Sequence, residues 1–380
     1  MELVHGELIA SKCEAKDFIS SMPDNVITEI LNRLPLRDVV STGILSRTWR
    51  FKWTLITKLV FDDELSWKLP GLGEEPSYNG KDLSRLINQL KGPITKFDLY
   101  IVDDILSDDE DVNHWLSVLS RKGIKKLNIT RLFAGPIELP PQLFSCLELK
   151  QLLLHNCNFN LPPSFCGFPK LLKLELSYTR FERCTFGELI ARCPLLEALR
   201  IDDSGSVDDV KVTEIAKHLP KLEKLALGFR SCEFLADACV GNKVATTFLS
   251  LKTLNLFRVE FNDDLMVSLI SEMICSSPNL HNLNIWAKYR SNVPPRADSD
   301  CNTMGMLHLR SVVFSCYEGS ENEVRFIKSL LACSPLLEKN KIHGYSSQVF
   351  SGDKGKLMFA TKLLKLPRAS PTAEVDISWD

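Results

Sequence analysis

The sequence predicts an α/β fold: a short three-helix unit at the front, then an irregular solenoid of strand–helix repeats. Parallel strands line its concave face, helices cover the convex face, and a C-terminal region closes it. Three observations predict this. An apolar anchor, followed three and five places later by further apolar residues, recurs along most of the 380 residues. Between these strings, apolar residues return with helical spacing and stop at prolines. The stretch before residue 54 follows neither rule and breaks into short amphipathic pieces.

The repeat is the stronger signal. Residues 149–154 read LKQLLL, 171–176 LLKLEL, 196–201 LEALRI and 222–227 LEKLAL. Next come 251–256 LKTLNL, 280–285 LHNLNI and 309–314 LRSVVF, with successive anchors 22 to 29 residues apart. Weaker copies start at Ile56, Ile94, Ile124 and Leu337. Residues two apart on an extended chain share a face, so each string reads as a strand with one buried side. Phe186, Leu189, Ile190 and Cys193 form a helical stripe between two strands, and Val324, Ile327, Leu330 and Leu331 form another. Pro194, Pro220, Pro278 and Pro335 each end a helix and lead into a strand. One strand and one helix per repeat, neither able to bury its face alone, is the leucine-rich-repeat layout. The fuller pattern L-x-x-L-x-L-x-x-N/C-x-L is met at 149–159 with Cys157 and Phe159. Thr179 and Val259 take the asparagine-or-cysteine slot elsewhere, while Phe181 and Phe261 keep the last one.

Acidic runs fit this frame. In SDDEDVNHWLSVLSRKG (107–123), the carboxylates of Asp108, Asp109, Glu110 and Asp111 precede basic Arg121, Lys122 and then Gly123. That is the charge pattern of a capped helix rather than a metal site, with Val112, Trp115, Leu116 and Leu119 as its buried stripe. At the C-terminus Leu363, Leu364 and Leu366 read as a last apolar element, with Pro367 and Pro371 preventing further extension.

Bulk properties narrow the function. With 44% apolar and 25% charged residues the chain is globular, and a formal net charge of -2 argues against nucleic acid and anionic membranes as partners. No apolar run reaches membrane-spanning length, and MELVHGELIASKCEAKD lacks the apolar core of a signal peptide. The 12 cysteines include no C-x-x-C pair, so they read as reduced thiols of the cytoplasm or nucleus, with no zinc site. Cys146, Cys157 and Cys166 read as packed repeat positions. The seven histidines are scattered, and no phosphate-cradling loop or nucleophile motif is present, so no cofactor and no catalytic residue are expected.

The front segment, DFISSMPDNVITEILNRLPLRDVVSTGILSRTWRFKW, starts its first helix at Pro23, where a missing N–H costs nothing. Val26, Ile27, Ile30, Leu31 and Leu34 make one stripe, Pro35 stops it, and Val39 and Val40 sit on a second helix. Ile44 and Leu45 lead to Trp49 and Trp53 on a third. So small a unit makes a poor independent core. It is either a cap for the first strand of the solenoid or a surface that docks another protein.

The order Met22-Pro23, Ile30-Leu31, Leu34-Pro35, Val39, Leu45-Ser46, Trp49 resembles the F-box, with Met22 and Leu45 standing where leucine and valine are usual. ENEVRFIKSLLACSPLLEKNKI and, above all, LLKLPRASPTAEV (363–375) are similar to the FBD region of plant F-box proteins. The whole resembles the plant F-box/FBD/leucine-rich-repeat family, with an F-box at 17–54, repeats at 55–301 and an FBD region with the last repeats at 302–376. The resemblance implies a non-catalytic substrate-recognition adapter of an SCF-type (Skp–cullin–F-box) ubiquitin ligase. The F-box would bind a Skp-type adaptor, and through it a cullin–RING assembly, by Pro23, Ile30, Leu31, Leu34, Pro35, Leu36, Val39, Leu45 and Trp49. Each of these could instead fill the F-box's own core. The solenoid would bind a protein to be ubiquitinated. Its polar strand residues Lys173, Glu175, Arg200, Asn255, Asn282 and Asn284 are the candidate substrate face. A repeat scaffold that never enters a cullin complex is the alternative.

Overall fold

In a computed structural model of the chain, the described residues are 19–61, 80–101, 109–132, 135–181, 186–202, 212–229, 247–288, 304–316, 319–344 and 352–379. One parallel sheet of twelve strands runs in chain order. Its first six strands are β1 (Lys58–Phe61), β2 (Lys96–Ile101), β3 (Lys126–Arg131), β5 (Gln151–His155), β7 (Lys173–Ser177) and β9 (Ala198–Asp202). The other six are β10 (Lys224–Gly228), β11 (Thr253–Val259), β12 (Asn282–Ala287), β13 (Ser311–Cys316), β14 (Lys339–Gly344) and β15 (Glu374–Trp379). A second parallel sheet joins β4 (Ile137–Glu138), β6 (Cys157–Phe159) and β8 (Arg180–Phe181). Parallel neighbours need a crossover. Helices supply it at Gly80–Gln89, Asp109–Arg121, Phe186–Ala191, Val212–His218, Asp264–Cys275, Glu321–Cys333 and Gly352–Leu364.

The anchor explains why the strands stack in register. At most repeats the anchor N–H closes a tight turn onto the carbonyl three residues back, as with Leu149 to Cys146, Leu171 to Phe168, Leu196 to Cys193 and Leu280 to Ser277, at 3.1–3.2 Å. The next two N–H groups both reach one carbonyl of the preceding repeat. Lys150 and Gln151 donate to Lys125, Leu172 and Lys173 to Lys150, and Glu197 and Ala198 to Leu172. Register then places Leu152, Leu174, Leu199, Leu225, Leu254, Leu283 and Val312 in one continuous buried row. Such burial is worth roughly 1.5–3 kcal/mol per large apolar side chain. The asparagine-or-cysteine slot is buried whatever fills it: Cys157, Thr179 and Val259 are all enclosed. Asn156, Tyr178 and Arg258, at one equivalent repeat position, take positive φ of 57°, 52° and 61°, turning the chain off the concave strand.

The front segment is part of the same core. Ile27, Leu31, Leu36, Val39, Trp49 and Ile56 pack into one cluster with Leu59 and Phe61 of the first strand. Asn32, just beyond helix Asp24–Leu31, donates from Nδ2 to Thr57 Oγ1 and accepts from the Thr57 N–H at Oδ1, both at 3.0 Å. Trp49 Nε1 donates to Ser20 Oγ at 2.7 Å.

Two expectations need correction. The predicted third front helix is two 3-10 segments, Thr42–Ile44 and Trp49–Leu55, following α-helices Asp24–Leu31 and Leu36–Ser41. Pro367 and Pro371 do not end the array, because β15 follows them and pairs with β14. Its anchor is Thr372 rather than leucine, and only Val375 and Ile377 keep the apolar spacing. Trp379 closes this end against Gly344, where a Cβ would come within 2.3 Å of the indole. Helix Asp109–Arg121 buries Val112, Trp115, Leu116 and Leu119 as expected. Asp108 lies outside the described residues.

Two substitutions test this arrangement. Asn340 takes the place of leucine in the buried row, and its amide nitrogen has no hydrogen-bond partner among the described residues. Asn340→Leu is expected to raise stability in urea unfolding by about 1–3 kcal/mol, the cost of a buried unpaired amide. Asn32→Ala is expected to lower it by about 1–3 kcal/mol, because Thr57 would lose both partners at a partly buried junction.

Candidate docking surfaces

The structure divides the front segment into two faces. Leu31, Leu36, Val39 and Trp49, four of the nine candidate adaptor contacts, are buried in the chain's own core. They pack into the chain's own core and leave no more than 9% of their surface open. The other five, Pro23, Ile30, Leu34, Pro35 and Leu45, are exposed. Ile30 and Leu34 each leave 41% of their surface open, and Leu45 leaves 69%. Val26, Val40, Ile44 and Phe51 add to the exposed apolar set, Ile44 at 87%. The helical period separates the two faces: Ile27 and Leu31 point inward, while Val26 and Ile30, one residue before each, do not. Exposed apolar side chains gathered in so few residues mark an interaction surface more often than chance scatter does.

The concave face holds the second candidate set. Lys173 pairs with Glu175 at 2.7 Å along β7, and Arg200 pairs with Asp202 at 3.1 Å along β9. Asn284 Nδ2 donates to Asn255 Oδ1 at 2.6 Å across β11 and β12, and Asn282 Nδ2 approaches Thr253 Oγ1 at 3.5 Å. All six candidates therefore lie on the outward rows of one sheet, with β9 and β10 between Lys173 and Glu175 on β7 and Asn255 on β11.

The sequence reading missed the aromatic centre of this face. Phe257 and Trp286 stack with centroids 4.5 Å apart and planes 18° apart. The Arg200 guanidinium lies 4.7 Å from the Phe257 ring centre, a cation–π contact. Asp202 also reaches Arg258, at 3.2 Å, passing over Gly228, where a Cβ would lie 2.1 Å from its carboxylate oxygen. Only a glycine admits that bridge. His155 packs on Tyr178 at 4.9 Å, and burial draws its imidazole below the usual range while the Asp202 charge partly opposes this. The missed signal was positional: Asp202, Gly228, Phe257 and Trp286 all stand six residues after an anchor.

Among the described residues no group of three His, Cys, Asp or Glu is arranged to hold a metal, and no helix is long and apolar enough to cross a membrane. Cys146 and Cys157 are buried as expected, whereas Cys166 is exposed, which corrects its reading as a packed position. Burial pushes the thiols of Cys146 and Cys193 up to about 12, and Cys316 well above the ordinary thiol range. A raised pKa keeps the thiol protonated and unreactive at neutral pH. Alkylation of the native chain at about pH 8, mapped peptide by peptide, is expected to modify Cys166 and Cys275. Cys146, Cys193 and Cys316 should react only after unfolding.

Comparison with known proteins agrees with this architecture. A model of the F-box domain matches residues 19–59. A model described as "FBD-associated F-box protein At5g56370, LRR repeats" matches 112–219, and a leucine-rich-repeat model matches 250–271. The chain is 29% identical to the F-box/FBD/LRR-repeat protein At1g13570 of Arabidopsis thaliana, over 95% of this chain and 98% of that protein. It is 25% identical to the putative F-box/FBD/LRR-repeat protein At5g52460 of the same plant, over 97% and 96%. With an F-box model on the front segment, repeat models on the solenoid and similarity running nearly end to end, the chain is similar throughout to plant F-box/FBD/leucine-rich-repeat proteins.

Proposed function

We propose that this chain is a non-catalytic, substrate-recognition adapter of an SCF-type ubiquitin ligase. Its F-box docks a Skp-type adaptor, which joins it to a cullin–RING assembly, and its solenoid holds a protein client. The observation that supports this best is the two-faced front segment. One face is consumed by the solenoid core, yet Pro23, Ile30, Leu34, Pro35, Ile44 and Leu45 stay exposed on the other. A segment acting only as a cap needs no second apolar face. A few such anchors, desolvated together, commonly supply most of an interface's affinity.

The role is positional. Holding the client beside a ubiquitin thioester raises the local concentration of its lysines, so binding substitutes for chemistry on this chain. The client surface is assigned to the concave rows, centred on Arg200, Phe257 and Trp286 with Asn255 and Asn284 beside them. Trp and Arg are enriched in interface centres, whereas the laterally paired Lys173 and Glu175 serve solubility as readily as binding. Cytoplasm and nucleus are the proposed compartments. A scaffold outside any cullin complex is the second reading, and the Asn32–Thr57 junction favours it to this extent: the front segment would persist as a cap without an adaptor.

Co-purification of the full chain with a Skp-type adaptor separates the two. Wild type is expected to retain the adaptor. Ile30→Ala combined with Leu34→Ala is expected to weaken binding about tenfold or more, with an unchanged unfolding midpoint because both side chains are half exposed. Equal retention by wild type and variant, or retention by neither, would remove the adapter reading and leave the scaffold.

A further inference from the structure

The edge of the sheet nearest the F-box, where the first strands begin, holds a concentration of lysines that the fold does not require. In register, Lys58 of β1 lies beside Lys96 of β2, and Lys96 beside Lys126 of β3. Lys125 and Lys150 immediately precede β3 and β5. Neighbouring strands are about 4.8 Å apart, and like charges placed directly opposite destabilise a sheet.

Some of this charge is answered internally. Lys96 pairs with Asp98 at 2.6 Å, Lys170 with Glu148 at 2.5 Å, and Lys122 Nζ donates to the Leu90 carbonyl at 2.7 Å. Lys58, Lys125, Lys126 and Lys150 are exposed and form no ion pair among the described residues. Glu148 is held below the usual carboxylate range, first by its hydrogen bond from Lys170 and then by the charges of Lys170, Lys125 and Lys150. One carboxylate thus serves three ammonium groups.

The rest of the same edge is different. At the repeat position of Lys125 and Lys150 stand Glu197, Glu223, Lys252, Arg310 and Glu338, whose signs are mixed. Lys252 closes on Glu223 at 2.6 Å and Arg310 approaches Glu338 at 3.6 Å. The repeat therefore tolerates either sign. Lysine recurs at Lys173, Lys224 and Lys339, in the column of Lys58, Lys96 and Lys126, but Lys173 pairs with Glu175, and Glu223 and Glu338 directly precede the other two. The uncompensated lysines thus gather at β1–β5 in a chain whose formal net charge is -2.

We propose that this edge docks an Asp/Glu-rich segment of the client that the solenoid recruits. The inference rests on the adapter reading above. Lysine point charges suit carboxylates spaced along a chain, whereas bidentate phosphate recognition favours arginine. Among the described residues Lys58, Lys96, Lys125, Lys126 and Lys150 sit over no aromatic ring, the stacking partner single-stranded nucleic acid would use; only Lys91 nearby lies 6.0 Å from a ring, that of exposed Phe51. The four strands span about 15 Å, the reach of about five extended residues. A salt-sensitive charged row speeds and selects encounter, a role distinct from the apolar burial offered by the F-box face.

The test uses the full chain and a fluorescent ten-residue Asp/Glu peptide, with a Gln/Asn peptide of equal length as its neutral partner. Anisotropy is expected to report binding of the acidic peptide only, weakening as ionic strength rises. The triple variant Lys125→Glu/Lys126→Glu/Lys150→Glu should bind about tenfold more weakly, and the Lys→Gln triple should fall between. Lys252→Glu, on the mixed part of the edge, should match wild type. Equal binding of the two peptides, equal loss in Lys252→Glu, or tighter binding of an oligonucleotide of equal charge would overturn the proposal. Adaptor retention, measured on the same triple variant, should be unchanged; its loss would assign the edge to the adaptor and overturn the client assignment. Loss of adaptor binding by wild type itself would instead be a failure of the adapter reading, visible without the peptide.

Discussion

Every element depends on one constraint: a strand of this sheet cannot satisfy its backbone or bury its apolar row without the strand before it. The anchor residue meets both demands at once. Its side chain is buried in the shared core, and at most repeats its N–H closes the turn that aims the next two N–H groups at the preceding repeat. Stability is accordingly additive along the array and local in origin. The first strand has no preceding repeat, and the front segment supplies the missing partner. Asn32 serves Thr57 as a neighbouring repeat would, while Ile27, Leu31 and Trp49 extend the apolar row.

The same constraint explains what was legible in the sequence. A leucine at the anchor with apolar residues three and five later is what the geometry demands, so the strands of the large sheet from β5 to β13 could be read directly, and β1–β3 and β14 as weaker copies. β15 could not, because Thr372 holds the anchor place, and the strand is held instead by Trp379 covering Gly344 and meeting Phe359 at 6.1 Å. The three-stranded sheet was visible only at Cys157 and Phe159, since pairs as short as Ile137–Glu138 and Arg180–Phe181 carry too few residues for a period.

The candidate sites were legible to a different degree. Composition marks Ile30 and Leu31 alike as apolar, yet one faces outward and the other is buried. That difference is set by where helix Asp24–Leu31 lies on the solenoid, a tertiary fact with no local signature. The Arg200–Phe257–Trp286 stack draws residues from three strands, and its logic runs across repeats at a fixed offset from the anchor. Reading along the chain hides such a group, while reading down the column of equivalent positions exposes it. Gly228 gains its meaning only in that column, as the space that lets Asp202 cross to Arg258.

Continuity between the front segment and the sheet bears on how an adapter of this kind would act. Domains joined by a flexible linker sample many separations, which dilutes the local concentration one presents to the other. Here residues on both sides of the junction share one apolar cluster, and paired hydrogen bonds tie Asn32, just after helix Asp24–Leu31, to Thr57, just before β1. The exposed apolar face, the lysine edge of β1–β5 and the aromatic centre at β11–β12 are therefore held at fixed separations by the strands between them. A client engaging the sheet would meet the adaptor side at a distance set by strand count rather than by linker length. Geometry of that sort makes the number of intervening repeats, and not only the residues that touch the client, a determinant of which lysine is reached.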